Sequence, residues 1–406
     1  MDTTSPLYHQ IINQLSQYSQ ASDRRHLKAL AWMCTALLLS QSLTLSKWEP
    51  YVQSDAKQAQ SYERRWQRFL ENPAILVEKL YLPLVLAALS TWQGSRLYLA
   101  LDPTILWDRY CMIHLSVCCC GRAVPLLWKV LEQDSATVAF SEYEPLLRKA
   151  HWILRKHQDI MLLADRAFAC HDLMDWLKGH PWHYALRLKL DVLIQADVHA
   201  SPVAVWKLAP PMNEAKCYKN VRLWADGVHC SHLVLATVDG AKDSWAVITD
   251  EKPTIQTLYH YGVRFQLEEL FLDSKSGVFQ LEDSRLRSPE QLSRLYLIIA
   301  ILLLFGTLNG MAVQCSGLRR QVDPHWKRGI SYLKIGLRYL QSVVHKGRPF
   351  LPLAPLFSKD PEPCFASRKA EHHQLDKVVF PAFGWSTVNR ILLESPEMFQ
   401  AARSWT

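Results

Sequence analysis

The chain has 406 residues, of which 49% are hydrophobic and 21% charged, so a largely disordered protein is excluded. Its 46 Lys and Arg residues exceed its 38 Asp and Glu residues, and the formal net charge of +8 favours a polyanionic partner. With only 14 glycines and no repeat at a fixed period, collagen-like, linker-rich and solenoid proteins are excluded as well. The length predicts two or three structural units in one chain.

Ten cysteines do not make a disulfide framework in a chain this long, and the first ten residues lack the basic and apolar regions of a signal peptide. We therefore expect a reduced, cytoplasmic protein. The run from Cys118 to Cys120 indicates small buried side chains, because adjacent strand residues point to opposite faces. Two further groups have too few ligands to predict zinc: Cys111 with His114, and His229 and Cys230 with His232.

Residues 1–95 are predicted to form helices, over 27–39, 60–70 and 74–89. In the second of these, Arg64, Arg65 and Arg68 alternate with aromatic residues such as Trp66. Basic residues between aromatic ones suit phosphate contact combined with base stacking. A solvated amphipathic helix face is the alternative. Under the first interpretation, this region is a helical DNA-binding domain.

From residue 96 the pattern changes to short apolar runs bounded by turns. Strands are predicted over 97–101, 110–119, 123–131, 160–164 and 182–188, with helices over 142–156 and 170–178. This order is that of a ribonuclease-H-like mixed sheet. Residues 190–250 interrupt it with short alternating stretches and turns at Pro210-Pro211, Asp226-Gly227 and Asp239-Gly240, which predicts a β-rich insertion.

One later segment resembles a membrane span in hydropathy. Residues 295–305 are almost unbroken Leu, Ile and Ala, and together with 306–313 they nearly reach the ~20 residues that cross a bilayer. Gly306, Asn309 and Gly310 interrupt the run. We favour a helix buried beneath the sheet, and expect no association with a membrane.

Two aspartates follow predicted core strands. Asp102 ends the run 97–101 and precedes Pro103, which we expect to end the strand, and Asp165 ends the run 161–164. Acids at the carboxyl ends of adjacent strands would face one crevice, where open sheets bind ligands. The alternative for each is a turn former or the N-cap of the next helix.

A third acid belongs to a spaced set. Tyr261, Arg264, Glu268 and Lys275 follow the spacing Tyr-x2-Arg-x3-Glu-x6-Lys, and on one α-helix they would fall within a stripe about 60° wide. Such a face presents a carboxylate between two cations. A surface salt bridge is the alternative, since Arg264 and Glu268 are four residues apart.

This four-residue pattern resembles the signature of bacterial insertion-sequence transposases of the insertion-sequence-four type. The blocks around Asp102 and Asp165 and the stretch 182–189 resemble the family's other blocks in order and spacing, and the resemblance spans roughly residues 24–348. Ala167 stands where relatives often have Gly. The resemblance implies a DDE catalytic core with a ribonuclease-H-like fold.

The resemblance also implies roles for these residues. Asp102, Asp165 and Glu268 would be the catalytic metal ligands for two Mg²⁺ ions, with Mn²⁺ as a substitute and Asp102 bridging both ions. Tyr261, Arg264 and Lys275 would hold phosphates beside the scissile bond. Trp245, which opens a predicted strand, would stack on a flipped base as a DNA hairpin forms; a core tryptophan is the alternative.

The sequence therefore predicts an α/β DNA transposase that cleaves the terminal inverted repeats of its own element and joins the 3′ ends to target DNA. Double-stranded DNA and a second copy of the chain are the expected partners, without a nucleotide cofactor. A catalytically silent relative that represses by binding DNA, and a glycoside hydrolase with paired carboxylates, are the alternatives. We expect four units. Residues 1–95 are helical, residues 96–189 with 251–313 form the catalytic core, and residues 190–250 are the β-rich insertion. Residues 314–406 contain a basic segment, with eight Lys or Arg over 319–348, and then a tail.

Overall fold

The structure is a computed structural model that describes residues 5–53, 58–92, 95–196, 201–237, 241, 243–284, 286–323 and 330–359. The described chain begins with helices and continues into a mixed sheet. The first helices are α1 (Pro6–Tyr18), α2 (Arg24–Ser40), α3 (Ala59–Glu71) and α4 (Val77–Ala88). The sequence predicted α2, α3 and α4, whereas α1 was not predicted. Asp23 caps α2 by accepting a hydrogen bond from the Arg25 backbone N–H.

The described strands form one ten-stranded sheet with the order β3-β2-β1-β4-β5-β10-β9-β8-β6-β7. They are β1 (Leu97–Leu106), β2 (Tyr110–Cys119), β3 (Arg122–Glu132), β4 (Ile160–Ala164), β5 (His183–Arg187), β6 (Leu193–Gln195), β7 (Val203–Ala204), β8 (Ala215–Leu223), β9 (His229–Ala236) and β10 (Trp245–Thr249). Strand β1 is antiparallel to β2 and parallel to β4, and β4 is parallel to β5. Helix α5 (Phe140–Ile153) links β3 to β4, and α6 (His171–Lys178) links β4 to β5. The predicted order of elements from 97 to 187 is observed.

Strand β1 does not end at Asp102, which corrects the sequence prediction. It continues through Pro103 to Leu106, paired with β2 over this whole stretch, whereas its pairing with β4 stops at Leu101. A proline in a strand lacks an N–H on one side of the strand only. On that side of Pro103, the described chain has no parallel neighbour. Asp102 therefore lies within a strand, at the point where β4 ends.

The segment after β5 extends the sheet. Strand β10 pairs with β5, and β9 and β8 follow outward, so the predicted β-rich insertion adds strands to the same sheet. Gly227 has φ +61° in the turn between β8 and β9, as expected for Asp226-Gly227. The predicted turn at Asp239-Gly240 lies outside the described residues.

The chain after β10 is helical. It forms α7 (Ile255–Gly262), α8 (Phe265–Leu272), α9 (Pro289–Cys315) and α10 (Tyr332–Lys346). A capping box of Thr254 and Thr257 starts α7, and the Ser288 side chain caps α9.

Helix α9 is long and apolar enough to cross a membrane, and its most apolar window is wholly buried inside the protein. It packs against β3, α10 and three of the N-terminal helices. The apolar run of 295–313 is therefore covered by other parts of this chain, as expected for an interior helix.

Helices α9 and α10 cross at glycines. A Cβ atom on Gly310 would lie 1.9 Å from the backbone oxygen of Tyr332, and one on Gly336 would lie 1.8 Å from the backbone oxygen of Gly306. The two backbones approach so closely that a side chain at either position cannot be accommodated without moving a helix. The glycines that interrupt the apolar run are the contact points of this glycine crossing.

The buried apolar residues form one cluster that runs from α1 through the sheet to α10. The Arg294 side chain of α9 also donates a hydrogen bond to the Leu70 carbonyl oxygen of α3. The division of the chain into four units stays a prediction. Residues 324–329 of the basic segment and the part of the predicted tail over 360–406 lie outside the described residues.

Candidate active site

Two of the three predicted acids lie at the same edge of adjacent parallel strands. Leu101 of β1 pairs with Ala164 of β4, and Asp102 and Asp165 are the residues that directly follow this pair. Asp165 follows the last residue of β4, as the sequence predicted. The parallel register therefore brings the two carboxylates to one place on the sheet.

The third acid reaches this place from a helix that is not continuous. Between α7 and α8, Val263 and Arg264 keep helical backbone angles, but the hydrogen bonds tighten to three-residue spacing, with the Leu267 N–H donating to the Arg264 oxygen at 2.8 Å. A π-helical turn, Asp273–Gly277, follows α8. The single α-helix assumed in the prediction is therefore not observed: Tyr261 lies on α7, Arg264 precedes α8, which carries Glu268, and Lys275 lies on the π-helical turn.

Arg264 joins two of the acids. One terminal nitrogen of its guanidinium lies 2.5 Å from Asp102 Oδ2, and the other lies 3.0 Å from Glu268 Oε1. Arg264 is 4% exposed, whereas the Glu268 side chain is 53% exposed. Because the pair with Asp102 is buried, it is a stronger interaction than the pair with Glu268, which water screens.

Tyr261 contacts the remaining acid. Its hydroxyl donates a hydrogen bond to Asp165 Oδ1 at 3.2 Å. Burial raises the pKa of Tyr261 to about 12, so the phenol stays protonated and acts as a donor. We call Asp102, Asp165 and Glu268 the carboxylate cluster. Tyr261 contacts Asp165, and Arg264 contacts the other two acids.

The carboxylates influence one another electrostatically. Burial raises the pKa of the Asp102 carboxyl to about 7, the Arg264 guanidinium opposes this shift, and the negative charges of Asp165 and Glu268 add to it. Mutual effects of this kind require the three carboxylates to be close together. Burial and the two neighbouring carboxylates thus disfavour the charged form of Asp102, and the Arg264 guanidinium favours it.

Lys275 lies away from the carboxylates. Its ammonium donates a hydrogen bond to the Ile105 carbonyl oxygen at 2.7 Å and lies 3.1 Å from Glu282 Oε1. We expected the Glu268 carboxylate to lie between two cations. The contacts place Arg264 beside Glu268, whereas Lys275 contacts Ile105, in the part of β1 beyond Asp102. Lys275 lies on the π-helical turn, whose residues do not keep the α-helical spacing on which the prediction rested.

Trp245 is 5% exposed and begins β10. Its ring packs edge-on against Tyr261 at 5.2 Å and at a tilt against Phe265 at 5.6 Å, and the Arg187 guanidinium lies 5.6 Å from its ring centre. This burial favours a core side chain that supports Tyr261. Stacking on a flipped base stays a prediction, and it requires the ring to become exposed.

The arginines of α3 differ from their aromatic neighbours in exposure. Arg64 and Arg68 are exposed on α3 and Arg65 is partly exposed, whereas Trp66 is fully buried. The other two aromatic residues of the stretch, Tyr62 and Phe69, are also buried. The arginines can contact phosphate, but base stacking by these aromatics, which the alternation suggested, is not available.

Arg187 was not predicted as a site residue. It ends β5, next to the strand that Asp165 follows, and its positive charge lowers the pKa of Tyr261 against the effect of burial. The signal in the sequence was a basic residue at the end of a core strand. It could not be interpreted without knowing that β5 is the neighbour of β4.

In the described part of the chain, no group of three His, Cys, Asp or Glu side chains is arranged to hold a metal ion. The Arg264 guanidinium contacts both Asp102 and Glu268. Carboxylate oxygens are nonetheless the ligands that Mg²⁺ prefers, so the chemistry of the three acids fits this ion.

A family model described as a transposase DDE domain matches residues 108–305. The match includes Asp165 and the whole stretch from Tyr261 to Lys275, and it begins after Asp102. No curated protein matches the chain.

Among solved structures, the chain is similar to a piggyBac transposase in a synaptic complex with hairpin DNA, determined by cryo-electron microscopy. The two are 10% identical, the likeness covers 83% of this chain and 78% of that one, and the TM-score is 0.41. The segment 108–305, which carries most of the candidate site, is thus similar to the transposase DDE domain.

Proposed function

We propose that this protein is a DNA transposase that cleaves the ends of its own element and joins the freed 3′ ends to target DNA. The observation that supports the proposal is that Asp102 and Asp165 directly follow paired residues of parallel strands while Arg264 contacts both Asp102 and Glu268, in a chain whose residues 108–305 match the transposase DDE domain. The strand order β3-β2-β1-β4-β5, with β2 and β3 antiparallel to their neighbours, supports a ribonuclease-H-like core.

The carboxylate cluster would hold Mg²⁺, with two ions as the expected number. Bound divalent ions would activate the attacking oxygen and stabilise the leaving oxygen of a phosphodiester. The protein supplies a rigid edge for this chemistry, because Asp102 lies within a paired strand and Asp165 directly follows one. The Tyr261 hydroxyl orients Asp165 by donating to one of its oxygens.

Positive charge near the cluster supports a phosphodiester as the substrate. Arg264 contacts Asp102 and Glu268, and the charge of Arg187 acts on Tyr261, so both arginines contribute positive charge that favours a phosphate group. A glycoside hydrolase would have no use for two arginines beside its paired acids, so the third alternative from the sequence is disfavoured.

The exposed Arg64 and Arg68 and the partly exposed Arg65 would contribute phosphate contacts along α3, in the region proposed to recognise the terminal repeats. A dimer follows from the need to hold two element ends at once. Replacing each of these arginines with Gln should reduce the dependence of log affinity on log salt by about one unit per lost contact.

The decisive test is to incubate the full-length protein with a labelled DNA fragment from the end of the element, with and without Mg²⁺. A transposase nicks the fragment only with the metal and, with target DNA present, yields joined products. A repressor binds the fragment and leaves it intact under both conditions, which would contradict the proposal.

A further inference from the structure

The strongest unexplained feature of the site is that one guanidinium contacts two of the three acids that the proposed chemistry needs. Arg264 donates to Asp102 Oδ2 and to Glu268 Oε1, and it is almost fully buried. Oxygens engaged in charge-assisted hydrogen bonds with a guanidinium are poor ligands for a cation. A divalent ion placed between these acids would also be repelled by the buried positive charge.

A second observation shows that Arg264 has an unused donor. Among the described residues, its buried Nε–H has no hydrogen-bond partner. Buried donors are nearly always paired, so a new acceptor would satisfy this donor once the guanidinium leaves its buried position. The guanidinium also lies 5.0 Å from the ring centre of Phe265 and 5.6 Å from that of Tyr261, which can support it electrostatically when it leaves the carboxylates.

A phosphate group matches what Arg264 offers. Guanidinium groups bind phosphate through paired N–H donors in a fixed geometry, as they bind carboxylates. Transfer of Arg264 from the acids to a phosphate would leave Asp102 and Glu268 with uncompensated negative charge at one place, which favours a divalent cation.

We propose that Arg264 acts as an electrostatic latch that exchanges the carboxylates for a DNA phosphate, so that divalent-cation binding at Asp102 and Glu268 is coupled to DNA binding. This inference rests on the proposed function, because it takes the substrate to be DNA. It assigns Arg264 a positioning role: without DNA the residue keeps the acids neutralised, and with DNA it releases them.

Mn²⁺ titration calorimetry of the full-length protein tests the latch. The wild-type protein should bind Mn²⁺ weakly alone and more tightly with a duplex taken from the DNA that flanks the coding region, by about 5- to 150-fold, the usual range of coupling between two ligands. Arg264→Gln should bind Mn²⁺ tightly without DNA, and DNA should no longer change that affinity. Arg264→Lys keeps the charge but cannot contact both acids at once, so its affinity should lie between the two.

Arg122→Gln is the matched control. Arg122 pairs with Glu269 and Asp273, outside the carboxylate cluster, so its loss should leave Mn²⁺ affinity and the effect of DNA unchanged. Thermal melting of each variant shows whether it is folded, and if Arg264→Gln is not, Arg264→Lys carries the test.

The results separate this inference from the proposed function. Tighter DNA-free Mn²⁺ binding by the Arg264 variants supports the latch even if the wild-type protein never cleaves DNA. Unchanged Mn²⁺ affinity in both variants, or equal wild-type affinity with and without DNA, overturns the latch even if Mg²⁺-dependent cleavage is observed.

Discussion

The carboxylate cluster and the glycine crossing of α9 and α10 are stabilised in opposite ways. In the cluster, charged groups depend on specific partners such as the buried Arg264. At the crossing, backbone meets backbone, and no side chain stands between Gly310 and Tyr332. Removing a charge from the first region should therefore change chemistry more than stability, whereas adding one methyl group to the second should do the reverse.

The largest expected effect is on the chemistry of the cluster. Asp102→Asn, Asp165→Asn or Glu268→Gln should each reduce Mg²⁺-dependent cleavage about a thousand-fold or more, equivalent to about 4 kcal/mol of barrier, because each variant loses a metal ligand. Binding to the terminal repeat should change little. Gel assays of cleavage beside DNA-binding titrations measure both, and a variant that nicks normally would remove that residue from the site.

The next largest effect is expected at Trp245, which lies beside the cluster but is buried like a core residue. Trp245→Ala should cost about 3–5 kcal/mol of stability and lower nicking and melting temperature together, because Tyr261 loses its support. Trp245→Phe should recover much of both. The opposite outcome is a Trp245→Ala protein that is stable and nicks normally but fails to form the hairpin. That result would support the stacking role and contradict the core role.

At the glycine crossing, Gly310→Ala should destabilise the protein by about 3 kcal/mol, because the added Cβ meets the Tyr332 backbone oxygen and the helices must separate. Gly179→Ala is the matched control, since a Cβ there has no neighbour closer than 3.5 Å and should cost less than about 1 kcal/mol. Chemical denaturation of both variants measures the difference. Equal stability of the two would mean that the helices do not approach as closely as described.

The smallest effect concerns pH and a histidine beside the cluster. His114 of β2 pairs in register with Asp102, and burial lowers its pKa to about 3. Its native pKa lies below the ordinary value, so the unfolded state binds the proton more readily, and its contribution to stability is lost as pH falls from about 6.5 towards 3.

Replacing His114 with Leu should therefore make the loss of stability on acidification less steep, by about 1 kcal/mol per pH unit between pH 6 and 4. Urea denaturation at several pH values measures this. Parallel pH profiles for the wild type and the variant would show that His114 is not held neutral by burial.

These two regions also differ in how far the sequence predicted them. The strands that carry Asp102 and Asp165, and the contact of Arg264 with Glu268, follow from local runs and spacing, and the structure has them. The continuation of β1 through Pro103 was missed, because proline's effect depends on which side of the strand has a neighbour.

Other misses have the same physical origin. The π-helical turn that carries Lys275 is not indicated by the periodicity of the sequence. The approach of α10 to Gly310 joins residues far apart in the chain, so Gly306 and Gly310 were interpreted only as interruptions of an apolar run. The close approach of helices that are distant in the chain was thus not predicted, whereas the placing of Asp102 and Asp165 on adjacent strands was.

The extension of β1 beyond β4 has a consequence for how the protein stays in solution. From Asp102 to Leu106, the strand has β2 on one side and, in the described chain, no strand on the other, so it presents an open edge that could pair with a strand of another molecule. Pro103 removes one N–H from β1, and Lys275 covers the Ile105 carbonyl oxygen. Proline and lysine are the residues that natural sheets place on such edges to prevent aggregation. Pro103 and Lys275 thus protect this edge of β1 from unwanted strand pairing.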